Sequence, residues 1–89
     1  MSRIVVTAFG KDRTGIVATI SEALADAGAN IEDMTSSKLG ENFVILTVCD
    51  LSSAKSFGAV KKAVTLAGKK VGVNVVVQRE EIFKGMHRV

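Results

Sequence analysis

Tryptophan and tyrosine are absent from this sequence, phenylalanine occurs four times, and cysteine and histidine occur once each. A lone cysteine, Cys49, excludes an internal disulfide and any four-cysteine metal cage. It closes an apolar stretch, where a buried thiol behaves as a small hydrophobe. His87 lies in a different segment, so the two residues make neither a zinc site nor a nucleophile with its base. With so few rings there is almost no platform on which a sheet could stack the bases of single-stranded RNA. Long apolar runs are missing as well: Ile4 to Ala8 and Phe43 to Cys49 fall far short of the roughly 20 residues of a membrane span. Nothing at the start combines an apolar core with a small-residue cleavage site, so no secretory leader is expected and the protein reads as cytoplasmic.

What is present suits one small domain. A chain of 89 residues with 47% hydrophobic content can bury roughly 60% of its unfolded surface around a single core. The formal net charge is +3, and Lys55, Lys61, Lys62, Lys69 and Lys70 cluster without an acid between 53 and 70. That cluster is either a solvated helix face or a footprint for a polyanion, and the scarcity of aromatic residues disfavours nucleic acid.

Hydrophobic spacing organises the chain. Residues 3–9, RIVVTAF, read as a strand ending at Gly10. From Thr14, the residues Ile16, Val17, Ile20, Leu24 and Ala27 recur at helical steps, with Glu22 and Asp26 on the other side, and Gly28 supplies a left-handed stop. An extended segment from Asn30 to about Lys38 joins "ENFVILTVCD" through a tight connection at Leu39, Gly40 and Glu41, as in a hairpin. Ser52 or Ser53 can cap a second helix with Phe57, Val60, Val64 and Ala67 on one face, weakened by Gly58. Val71, Val73, Val75 and Val77 alternate in a fourth strand. The order βαββαβ predicts a ferredoxin-like α+β sandwich, a four-stranded antiparallel sheet with two helices on one face.

Both faces of the third strand are apolar, Phe43, Ile45, Thr47 and Cys49 on one side and Val44, Leu46 and Val48 on the other. The face away from the helices therefore needs a cover, either a second copy or the tail 79–89, where Ile82, Phe83 and Met86 can form a short helical face. A homodimer is expected.

Between the first strand and first helix lies "GKDRTGIV", residues 10–17. A helix starting near Asp12 to Thr14, with Asp12 able to cap it, leaves backbone N–H groups unpaired under a partial positive charge. Gly15 allows a group such as a carboxylate or phosphate to approach the N–H groups of Gly15 and Ile16, although the two glycines equally permit a plain tight turn. The loop lacks the Lys-Ser/Thr ending of a nucleotide-binding loop.

The stretch "GKDRTGIVATISEALADAGANIED" resembles the opening of an ACT domain, a small βαββαβ regulatory module that senses amino acids and related metabolites. Asp12, Arg13, Gly15, Ile16, Asn30 and Ile31 match the family pattern, while Thr14 stands where many members carry proline. The ending "QREEIFKGMHRV" is similar to free-standing single-domain members related to the N-terminal part of the glycine cleavage system repressor. The resemblance covers the whole chain, 1–89, as one domain. It implies a homodimer holding a small-molecule ligand, such as an amino acid, between the first loop of one subunit and the start of strand two of its neighbour. By that resemblance Asp12 recognises an amine, the backbone at Gly15 and Ile16 takes a carboxylate, Asn30 bonds across the interface and Ile31 walls the pocket. Arg13 points to solvent or pairs with Asp33. Unliganded dimerisation, or contact with another protein, is the competing expectation.

Other proteins of the same element order fit less well. Arg13 and Asn30 are present without the surrounding phosphate-cradle signature of an acylphosphatase, the paired cysteines of a copper chaperone are missing, and strands one and three supply only Phe9 and Phe43 where an RNA-recognition module needs sheet aromatics. No catalytic group, cofactor or metal is implied, so an enzyme is not expected.

Overall fold

The computed structural model describes residues 3–51 and 56–82. Its elements run β1 (Arg3–Gly10), α1 (Arg13–Asp26), β2 (Asn30–Leu39), β3 (Asn42–Asp50), α2 (Phe57–Lys70) and β4 (Asn74–Arg79). They form one antiparallel sheet in the order β2-β3-β1-β4, the ferredoxin-like βαββαβ fold. β1 and β3 lie in the centre and β2 and β4 at the edges.

Alternation in the central strands builds the core. Ile4, Val6 and Ala8 of β1 and Ile45, Thr47 and Cys49 of β3 are fully buried. They meet Ile16, Ile20 and Leu24 of α1 and Val60 and Val64 of α2. The α1 residues are four apart and fall on one stripe, and burying each contributes about 2 kcal/mol.

Both helices stop on the same device. At the end of α1 the Gly28 N–H bonds the Ala25 carbonyl and the Ala29 N–H bonds Leu24, with Gly28 at φ 81°. At the end of α2 the Gly72 N–H bonds Lys69 and the Val73 N–H bonds Gly68, with Gly72 at φ 74°. Each is a six-to-one closure around a left-handed glycine. The hairpin between β2 and β3 turns on Gly40 at φ 64° and Glu41, closed by the Leu39–Asn42 pair.

Two boundaries differ from the sequence reading. The fourth strand starts at Asn74, because Val71 caps α2 and Gly72 turns the chain; Val71 is more than half exposed. The cap of α2 is Ser56, whose Oγ accepts from the Ala59 N–H at 3.1 Å. Ser52, Ser53 and Lys55 lie outside the described residues, as do Phe83 and Met86 of the tail. Within the tail, Glu80 to Ile82 form a helical turn.

The sheet face away from the helices carries Val5, Thr7 and Phe9 opposite Val48, Leu46 and Val44, with Val76 beside Thr7. Phe9 and Val76 are exposed. No helix among the described residues is long and apolar enough to cross a membrane.

Candidate functional site

The loop from β1 into α1 is built around Asp12. Its backbone is extended, at φ −103° and ψ 97°, and its Oδ1 accepts from the Gly15 N–H at 3.1 Å. The Asp12 carbonyl accepts from the Ile16 N–H at 2.9 Å. A Cβ on Gly15 would stand 2.6 Å from Asp12 Oδ2, so the glycine makes room for the carboxylate that caps the helix. Both N–H groups expected to receive a ligand carboxylate are thus engaged within the chain. The first-turn donors that helix geometry leaves over belong to Arg13 and Thr14.

Arg13 occupies the first helical position and Lys11 precedes the cap, while the first turn contains no acid. Cations at the positive end of a helix are electrostatically unfavourable, and an incoming anion relieves that arrangement. The Arg13 side chain reaches β2, where its Nε donates to Ser36 Oγ at 3.0 Å. It does not pair with Asp33, whose Oδ1 accepts from the Met34 N–H at 2.9 Å. One of the five guanidinium donors is used, and the fork is anchored over the gap between α1 and β2.

That gap is a cleft of about 660 Å³, within the range of small-molecule sites. Arg13 and Thr14 stand at its mouth, Val17 and Ala18 line the helix side, and Met34, Thr35 and Ser36 line the strand side. A second cleft of about 480 Å³ lies on the other flank of the loop. There Asp12, Gly15 and Ile16 meet Lys11, Asn42 and Asn74.

The structure thus brings Asp12, Gly15 and Ile16 together and sets Arg13 in the neighbouring cleft. Asn30 and Ile31 sit elsewhere, beyond the far end of α1, paired with Asp50 and Cys49. A 14-residue helix spans about 21 Å, so a single chain does not unite all six residues. Spacing along the sequence did not single out Met34, Thr35, Ser36, Asn42 or Asn74, because the sheet register decides which of them faces the loop.

Other chemistry-bearing residues are accounted for by the fold. Cys49 is fully buried, and burial, with a smaller contribution from Glu32, raises its thiol to about 11. Lys69 and Lys70 occupy the last turn of α2, where cations favour the helix dipole. Phe57 has the Arg79 guanidinium 4.4 Å and the Lys61 ammonium 6.0 Å from its ring centre. Arg3 pairs with Glu32 at 3.0 Å and with Glu80 at 3.7 Å, joining the ends of β1, β2 and β4. Among the described residues no group of three or more His, Cys, Asp or Glu could hold a metal ion.

Comparison with known proteins agrees with this architecture. A UPF0237 protein of Methanocaldococcus jannaschii is 48% identical over 90 residues, covering all of both chains. A solved ACT domain protein from Streptococcus pneumoniae superimposes with a TM-score of 0.80 at 29% identity, over 92% of this chain and 93% of that one. A putative glycine cleavage system transcriptional repressor matches 88% of this chain with 45% of its own length, at a TM-score of 0.71 and 26% identity. Residues 2–78 match the profile described as ACT domain, and the chain belongs to the ACT domain family.

Proposed function

We propose that this chain is a non-enzymatic regulatory domain that binds an amino acid or similar small carboxylate at the interface of a homodimer and acts as a metabolite sensor. ACT domains are typically regulatory and ligand-binding. The observation that carries the reading here is the cleft between α1 and β2, which has an anchored arginine at its mouth and a free strand edge along one wall.

β2 is ten residues long, lies at the sheet edge and is exposed along most of its length. Such an edge is a template for pairing. A two-fold axis through an antiparallel β2–β2 pair sets the Asn30 end of one strand against the Leu39 end of the other. Asn30 and Ile31 of one copy then arrive beside Ser36 and Arg13 of its neighbour, which supplies the wall that one chain lacks. In this arrangement Arg13 takes the carboxylate, aided by the Thr14 N–H. Asp12, which lines the cleft on the other flank of the loop, serves as the helix cap rather than as the amine's partner; Gly15 leaves room for its carboxylate, and the buried Ile16 fixes the turn. Asn30 bonds across the interface and Ile31 closes it.

A thermal-shift screen of the twenty amino acids, at low and high salt, tests the reading. A ligand at one hundred times its Kd stabilises the dimer by about 2.7 kcal/mol. The expected result is a saturable, salt-tolerant rise with one or a few amino acids, reduced by Arg13→Ala and Asn30→Ala. A monomer by light scattering at micromolar concentration, with no shift from any amino acid, would defeat it. The exposed Phe9 and Val76 on the opposite sheet face favour a second role, docking of another protein or copy.

A further inference from the structure

On the helix-facing side of β3, between Ile45 and Cys49, stands Thr47. Its side chain is fully buried, and Oγ1 has no hydrogen-bond partner among the described residues. Such a hydroxyl carries a desolvation penalty that a valine of the same shape would avoid. The ladder pairs Thr47 with Val6 on one side and Met34 on the other. Directly opposed residues on one sheet face have their Cβ atoms about 5 Å apart. Met34 is the half-buried residue of β2 that packs against the core and also lines the cleft beside Val17 and Ala18. Thr47 therefore lies one side chain inward of the cleft wall, and that side chain is an unbranched, readily rotated thioether.

We propose that the cleft continues beneath Met34 to Thr47, and that the Thr47 hydroxyl hydrogen-bonds the tip of the molecule that occupies it. The class of that molecule rests on the reading given above, in which Arg13 holds a carboxylate at the mouth. Its other end is then an uncharged hydrogen-bonding group, a hydroxyl or a carboxamide. The neighbours of Thr47 on its sheet face, Val6, Met34, Ile45 and Cys49, offer no counterion, so a charged tip would be buried unpaired. An aliphatic tip would leave the hydroxyl as it is. L-Glutamine and L-serine represent the favoured class, and L-leucine and L-glutamate the excluded ones.

Thiol labelling separates the inner site from the identity of its occupant. Thr47→Cys in a Cys49→Ala background carries one thiol, to be treated with methyl methanethiosulfonate under native conditions. It should label at least tenfold faster than Cys49 of the unmodified protein, and adding Met34→Ala should raise the rate further. Cys49 in the Met34→Ala variant should stay slow, which excludes global opening as the route. A rate no faster than that of Cys49 overturns the inward path. Slower labelling with L-glutamine or L-serine, but not with L-leucine or L-glutamate, supports the polar tip, and equal protection by L-leucine overturns it. Fast, Met34-controlled labelling that none of the four slows supports the inner site and counts against the amino-acid reading alone. Thr47→Val provides a second check should the cysteine variant fail to fold: it should keep or raise the Tm and lose any response to L-glutamine. An undiminished response overturns the role of the hydroxyl.

Discussion

The two helices of this domain end alike but meet the sheet differently. α2 lies so close to β4 that a Cβ on Gly68 would stand 2.6 Å from Val75 Cγ2 and 2.9 Å from the Val73 carbonyl oxygen. At the equivalent place in α1 the chain has Leu24, a full-sized core side chain. Toward its start, α1 stands off β2 and leaves the 660 Å³ cleft. One helix seals its edge strand and the other leaves its edge strand free. A domain this small has little core to spare, so the unfilled junction is the place where the proposed binding role, rather than stability, would shape the sequence.

Mutations can break or sharpen that contrast. The largest effect belongs to the sealed side. Gly68→Ala should destabilise by about 3 kcal/mol, because Val75 can rotate away but the Val73 carbonyl is held by the turn; a denaturant melt with an unchanged midpoint would refute the tight contact. On the open side, Asp12→Ala should cost about 1 kcal/mol through loss of the helix cap. Gly15→Ala should cost a similar amount by pushing the same carboxylate aside. The double variant should then fall short of the sum, and strict additivity would separate the two residues. Gly58→Ala carries the opposite sign: a Cβ there meets nothing within 4 Å, so a gain of about 0.5–1 kcal/mol is expected from helix propensity. Smallest in stability is Ala18→Leu, which places bulk in the open cleft. It should change the unfolding free energy by no more than about 0.5 kcal/mol while abolishing any amino-acid thermal shift; an intact shift would move the binding site out of this cleft.

Much of the architecture was legible from spacing. Ile16, Ile20 and Leu24 declared α1 and Gly28 its end, since local periodicity and turn chemistry are properties of neighbouring residues; which of the two apolar faces of β3 meets the helices was left open, and the fold buries Ile45, Thr47 and Cys49. The same logic misplaced the start of β4. Val71 and Val73 continue the alternation of Val75 and Val77, yet Gly68 and Gly72 close the helix over that stretch, and six-to-one hydrogen bonds outweigh a two-residue repeat. Asp12 as a cap was likewise readable. The partner of Arg13 was not: Asp33 is the obvious counter-charge, but the bulge between Ile31 and Asp33 shifts the register and sets Ser36 under the guanidinium instead.

The sequence by itself determined the element order, the apolar stripes and the character of the first loop, because each is fixed by residues within a few positions of one another. Tertiary structure decided which loop residues share a cleft and that Asn30 lies a helix length from Arg13. Those facts depend on strand register and on how closely each helix approaches the sheet. Both are set by contacts between residues far apart in the chain, which no local pattern encodes.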